Sequence, residues 1–266
     1  MFLPEEIKHQ IVKQYDLSIE KKKEAVKTEL FWKEFDRLSK ADYALATLIF
    51  LEKETPRRQK WQAEKYPASE TIEKTFLIAL EESKRILREF PKLFEQACKE
   101  ANLMLDATSQ HPRYSLDSGF LQIKIIEPRF QASITDYEER LGQFPADIQV
   151  IIDKISAERQ RLFNRPFNAT LFLQLLREAY KSILNKDHLE DGASLPIRDI
   201  AQRILKNKKG YKIDEFLVDL SLLVQSGPFE IDSRTLDLQQ TKDTKKGMLL
   251  YKASERGYIG YLLFRR

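Results

Sequence analysis

The chain has 266 residues, of which 42% are apolar and 32% charged, with only eight glycines. This mix fits a helical globular protein of two or three compact units and excludes wholesale disorder; so few glycines also argue against Gly-rich nucleotide loops and all-β architectures, which need glycine in their turns. The net charge of +4 is unevenly placed: residues 1–112 balance, residues 113–194 hold 11 basic against 12 acidic side chains, and residues 195–266 hold 14 against 9. Any contact with a polyanion is therefore expected in the C-terminal quarter.

Cys98 is the only cysteine, so an intramolecular disulfide and the Cys-rich zinc frameworks are excluded and a reducing compartment fits. The stretch Met1-Phe2-Leu3-Pro4-Glu5-Glu6 lacks a basic head followed by an apolar segment, and no window approaches the roughly 18 apolar residues needed to span a bilayer. A cytoplasmic location without a membrane partner is expected.

From Glu5 to about Met104 apolar residues recur at three and four, the spacing of amphipathic helices. A helix is predicted over residues 18–38, with Leu30, Phe31 and Phe35 as its buried stripe and Glu20-Lys21-Lys22-Lys23-Glu24 as a solvated face, because interspersed glutamates cancel the field of the lysines. Residues 42–54 hold the apolar run Tyr43 to Leu51 and predict a helix buried on most sides. Residues 55–67, with basic side chains around Trp61, read as a loop. A further helix opens at Ser69 or Thr71 and runs to about Phe90, with Phe76, Leu77, Leu80, Ile86 and Leu87 inward, and another follows Pro91. Residues 1–110 are thus expected to form an antiparallel helical bundle.

Near His111-Pro112 the period changes to two. Residues 120–126, 130–134 and 141–144 predict three short strands of an antiparallel meander, and Pro145 is placed in the first turn of a helix carrying Ile148, Ile151, Ile152, Ile155 and Leu162. Meander and helix together make a second region, residues 111–165.

Residues 166–266 form the third. Asn168 caps a helix through Phe172, Leu176 and Tyr180; a short extended piece at 194–197 leads into a helix over 198–207; a turn at 208–212 precedes a helix over 213–225 that ends at Gly227. Extended stretches follow at 229–231, 235–238, 248–252 and 258–264. This order of helix, short strand, helix, turn, helix and hairpin resembles the winged helix-turn-helix superfamily. The resemblance implies a third helix that enters the DNA major groove and a hairpin wing that touches the backbone. Here that helix begins Ile213-Asp214-Glu215-Phe216 and continues through Asp219, and carboxylates near duplex DNA are repelled. The basic residues flank it instead: Arg198, Arg203, Lys206, Lys208, Lys209 and Lys212 before it, and Lys242, Lys245, Lys246, Lys252, Arg256, Arg265 and Arg266 after it. The first eleven of these thirteen are the candidate DNA-binding residues, acting on the backbone with weak sequence preference.

No reaction is indicated. Gly-x-x-x-x-Gly-Lys, Gly-x-Ser-x-Gly and His-Glu-x-x-His are all missing, and His9, His111 and His188 have no partner at metal-ligand spacing. Asp117 with Gln122-Ile123-Lys124 looks like a degenerate Mg²⁺ nuclease core, but ordinary strand alternation accounts for it. Asp136, Glu138 and Glu139 could gather a divalent ion, yet acids are common in turns, and Cys98 reads as packing. The expected fold is mainly α with small β elements: helical bundle, meander, winged helix. The expected function is non-enzymatic DNA association, without cofactor, metal or catalytic residue, in a complex with a protein such as an ATPase or nuclease, or with further copies of itself. A protein-docking subunit that does not bind DNA and a transcription regulator are the alternatives.

Overall fold

The computed structural model describes residues 5–251 and 257–266, most of them helical, with two small antiparallel sheets. The chain divides into two compact units, Met1–Leu87 and Arg88–Arg266. None of the helices described is long and apolar enough to cross a membrane.

The first unit contains α1 (Glu5–Ala41), α2 (Ala44–Lys53), α3 (Thr55–Ala63) and most of α4 (Ser69–Glu100). Its core gathers Phe31, Phe35, Leu51, Trp61 and Ile72, with Trp32, Phe50, Tyr66 and Phe76 packed against them. Asp42, held at positive φ, ends α1 and turns the chain into α2, whose apolar run buries Leu45, Ala46, Leu48 and Leu51. The segment expected as a loop is mostly helix α3. Pro56 lies in its first turn, where a missing N–H breaks no intrahelical bond, and Arg57 to Lys60 are good helix formers. Buried Arg58 fixes this helix: its guanidinium binds Glu73 at 2.6 and 2.8 Å, donates to the Leu51 carbonyl and covers the Phe76 ring.

Four further expectations for these helices are corrected. α1 starts earlier than residue 18, and Leu30 is 59% exposed, because the buried stripe is Phe31, Phe35 and Leu38 and Leu30 lies on another side of the helix. Leu77 is exposed, whereas Ile72 and Ala79 face the core. Pro91 does not divide α4. Phe90 and Phe94 on either side of it are fully buried against each other, with Tyr114 packed on Phe94, and that packing offsets the hydrogen bond lost at the proline.

In the second unit four strands form one sheet in the order β1-β2-β3-β4: β1 (Arg113–Leu116), β2 (Leu121–Ile126), β3 (Gln131–Thr135) and β4 (Arg140–Pro145). Leu121, Ile123 and Ile125 point inward while Gln122 and Lys124 point out, the two-residue period seen in the sequence. The meander thus has one strand more than expected, since the alternation of β1 spans only four residues. Pro145 closes β4 opposite Gln131 and does not open a helix; on this edge strand a residue without an N–H is tolerated. Helix α5 (Ile148–Phe163) begins three residues later, after Asp147.

The remaining elements are α6 (Ala169–Asp187), β5 (Leu195–Pro196), α7 (Ile197–Asn207), α8 (Ile213–Ser226), β6 (Glu230–Ile231), β7 (Arg234–Thr241), β8 (Met248–Leu249) and β9 (Tyr258–Arg265). Asn168 caps α6 by accepting the Leu171 N–H at 3.0 Å. The second sheet runs β5-β9-β7-β6, with β8 also paired to β9, so the long β7 and β9 form its centre. Arg177 ties α6 to the sheet: it is 4% exposed, binds Asp191 through both terminal nitrogens at 2.7 Å and lies over the Phe264 ring. Where the meander, α5 and the segment after β8 meet, Phe163 stacks on Tyr251 and Phe120 meets both rings edge to face.

Candidate nucleic-acid interface

Helix α8 is apolar almost all round, and a helix of that kind must be buried. Phe216, Leu217, Val218, Leu220, Ser221 and Leu223 are at most 1% exposed. Its two aspartates share that burial, Asp214 at 0% and Asp219 at 4% exposure. A carboxylate so placed requires a cation, and the end of α5 and the segment after it supply two.

Arg161 grips Asp214 with both terminal nitrogens while its Nε binds Glu158 at 2.8 Å. Burial opposes the charge of Arg161, but the hydrogen bonds of Asp214 and Glu158 outweigh it and hold the guanidinium above its ordinary pKa. Arg165 binds Asp219 at 2.5 and 2.9 Å and donates to the Glu215 carbonyl at 2.7 Å. The Tyr211 hydroxyl completes the cluster by donating to Asp219, and burial together with that carboxylate pushes the phenol's pKa up. The acids expected to repel DNA from the surface of α8 are therefore internal and neutralised, and Glu215, only half-buried, accepts the Lys212 backbone N–H at 2.9 Å. Only Gln225 and Ser226, at its last turn, are exposed on this helix.

The basic residues around α8 separate into engaged and free. Arg198, in the first turn of α7, binds Glu138 at 2.7 Å and the Gly247 carbonyl at 2.7 Å. Arg203 donates to the Ser182 hydroxyl at 2.6 Å, and its Nε is buried without a hydrogen-bond partner. Lys246 lies 3.8 Å from Asp243. Lys206, Lys208, Lys209, Lys212, Lys242 and Lys245 are exposed and form no ion pair with a described carboxylate. Lys208 sits 4.2 Å over the Tyr211 ring, whose hydroxyl belongs to the Asp219 cluster. Lys252 and Arg256 lie outside the described residues. Arg265 pairs with Asp237 at 2.5 Å.

The free lysines fall into two groups. Lys206, Lys208, Lys209 and Lys212 cluster at the C-terminal end of α7 and the turn beyond it. Lys242 and Lys245 belong to the β7–β8 loop, whose closing residue Gly247 is held by Arg198 at the other end of α7. One group therefore follows α7 directly, and the other belongs to a loop tied to the first turn of α7 through the Arg198–Gly247 contact.

The remaining candidates are taken up by structural partners. Asp117 holds Arg159 at 2.9 and 3.2 Å, so its carboxylate faces a guanidinium and not the exposed Lys124. Asp136 turns one oxygen to the Glu138 and Glu139 amides, and Glu138 belongs to Arg198. His111 binds Glu127 at 2.6 Å, His188 caps α6 in a left-handed conformation, and His9 is exposed on α1. Cys98 is buried, which raises its thiol to about 11. Among the described residues no group of three or more His, Cys, Asp and Glu side chains is placed to hold a metal ion. No protein-family model matches the chain, and comparison with curated proteins and with solved structures found no match.

Proposed function

We propose that the C-terminal region is a winged-helix module that binds the backbone of duplex DNA, without catalysing a reaction, as a subunit of a larger DNA-processing or defence complex. The element order α6-β5-α7-α8-β7-β9 supports the winged-helix reading, as does the pairing of β9 with both β5 and β7, which backs the helices with one antiparallel sheet.

The observation that carries the DNA reading is the pair of free lysine groups at the two ends of α7. The two groups stand on different segments, one after α7 and one in the β7–β8 loop, so each can meet its own run of phosphates. Helix α8, which the winged-helix reading would bring to the major groove, exposes only Gln225 and Ser226, and this favours contact indifferent to sequence.

Six lysines on six phosphates give a slope of log Kobs against log salt of about −5, and a loss of about 10³ in affinity between 50 and 200 mM salt. Fluorescence anisotropy with duplexes of unrelated sequence measures both. Changing Lys208 and Lys209 to Glu, or Lys242 and Lys245 to Glu, is expected to weaken every duplex alike and to flatten the slope by about 2 per pair. Affinity indifferent to salt removes phosphate contact from the account.

The second reading is a protein-docking module, and the engagement of Arg198 and Arg203 by neighbouring residues favours it, since both are withdrawn from the anion-binding set. It is distinguished by a stoichiometric protein partner whose binding survives the same lysine changes.

A further inference from the structure

The outward face of the meander carries positive charge that nothing in the fold neutralises. Strand pairing places Arg113, Lys124, Ser133 and Gln143 in one row across the sheet, and Ser115, Gln122, Thr135 and Arg140 in the next. Arg113 and Lys124 stand directly opposite each other, and like charges so placed destabilise a sheet. Both are exposed, and among the described residues neither side chain forms an ion pair or a hydrogen bond. The other arginines on the described strands each have a partner: Arg140 donates to Gln143, Arg234 binds Asp191 at 3.1 Å and Arg265 binds Asp237 at 2.5 Å.

The carboxylates nearest to this pair in sequence are committed elsewhere. Asp106 accepts the Ser118 and Gly119 N–H groups at 3.1 and 2.7 Å, Asp117 holds Arg159, and Glu127 binds His111. A cavity of about 400 Å³ opens over the two rows. Arg113 and Lys124 line it together with Ser115, Ser133, Thr135 and Gln122, and its lining includes no carboxylate.

That lining selects a ligand chemistry. Opposed residues on paired strands have Cβ atoms about 5 Å apart, so one phosphate group reaches the Arg113 guanidinium and the Lys124 ammonium together. The hydroxyls and the Gln122 amide both donate and accept, which suits a carrier rich in hydroxyl groups. No outward position in either row is aromatic, so bases would find no stacking platform, and one free cation pair is shorter than the basic groove that tracks a nucleic-acid strand. The volume lies within the range of small-molecule sites, roughly 300–1,000 Å³. We propose that this face binds a small phosphate ester of a hydroxylated carrier, of the sugar-phosphate class. Arg113 and Lys124 hold the phosphate, and Gln122 and Thr135 of the second row meet the carrier's hydroxyls. The inference is independent of the DNA reading, because it uses no residue of α7, α8 or the β7–β8 loop.

Isothermal titration calorimetry of the full chain with ribose 5-phosphate, inorganic phosphate and ribose tests it. Ribose 5-phosphate is expected to fill one site with a dissociation constant below about 1 mM, inorganic phosphate to bind about tenfold more weakly, and ribose not to bind at about 10 mM. Arg113→Gln and Lys124→Gln should each weaken both phosphate ligands about tenfold, whereas Gln122→Ala with Thr135→Val should weaken ribose 5-phosphate alone. Arg113→Gln also removes the like-charge contact, so its urea midpoint without ligand should equal or exceed the parent's, which separates lost binding from lost folding. Lys208→Glu with Lys209→Glu, the change that tests the DNA reading, should leave ribose 5-phosphate binding as it was. The proposal is overturned if ribose 5-phosphate fails to bind at about 10 mM, binds no better than inorganic phosphate, or is indifferent to the Arg113 and Lys124 changes. A ten-residue oligothymidylate that binds this face more tightly than the sugar phosphate also overturns it, in favour of single-stranded nucleic acid.

Discussion

Replacing Asp136 by Asn should make the protein more stable at neutral pH. The Asp136 side chain is 7% exposed; its Oδ1 accepts the Glu138 and Glu139 N–H groups at 2.7 Å each, and its Oδ2 is buried with no hydrogen-bond partner. Burial, helped by the nearby Asp214 and Glu139 carboxylates, outweighs those two amides and raises the group from 3.8 to about 6. A carboxyl whose folded pKa lies above its unfolded value favours folding in full below about pH 4, and that contribution disappears as the pH rises through about 6. At 1.36 kcal/mol for each pKa unit the penalty at pH 7.5 is at most about 3 kcal/mol. Asparagine keeps the Oδ1 acceptor and cannot ionise, but its amide nitrogen takes the unpartnered place at a cost of about 1 kcal/mol. The expected net gain is about 1–2 kcal/mol at pH 7.5, with none left at pH 4. Urea unfolding at pH 4, 5.5 and 7.5, followed by tyrosine absorbance, measures it. Trp32 and Trp61 both belong to the first unit, so their fluorescence is an internal control that should not change. The reasoning fails if the Asn variant is as pH-dependent as the parent chain or is less stable at pH 7.5.

Two further substitutions test the frame that carries the lysines. Arg165→Ala strands the buried Asp219 carboxylate and should cost about 3 kcal/mol in chemical denaturation; adding Asp219→Asn with methionine at 165 should recover most of that loss, and a single variant as stable as the parent would show the pair to be dispensable. Gly260→Ala places a methyl 2.7 Å from both Cβ and Cγ2 of Thr241, and a loss of about 2 kcal/mol is expected, relieved by Thr241→Gly; an unchanged thermal midpoint would mean that β9 shifts freely away from β7.

The elements of the C-terminal region were legible because local signals agreed: Asn168 before an apolar period, Gly227 after one, and an apolar run rich in tyrosine and leucine through residues 258–264. Where one local signal was read alone it misled. Pro56 and Pro91 were taken as breaks, although a proline in a first turn, or one between two buried phenylalanines, leaves a helix standing. Asp214 and Asp219 were read as surface charge from residue type, while Phe216, Leu217, Val218 and Leu220 around them already required the helix to be inside. Their cations, Arg161 and Arg165, stand some fifty residues earlier, and only tertiary structure joins such positions. The lysines were visible in composition, but nothing in composition distinguished Lys208 and Lys242 from Arg198, whose charge Glu138 occupies.

Gly247, which closes the β7–β8 loop, and Gly260 of β9, which faces Thr241 where that loop begins, set a boundary on how this protein can change over generations. A Cβ at Gly247 would lie 2.6 Å from that of Tyr258, and one at Gly260 would meet Thr241 just as closely. The tip between Thr241 and Gly247, residues 242–246, is exposed and closed by short turns around Asp243. The tip can therefore be rewritten, and with it whatever the module touches, whereas any side chain at the two bare backbone positions would have to displace Tyr258 or Thr241.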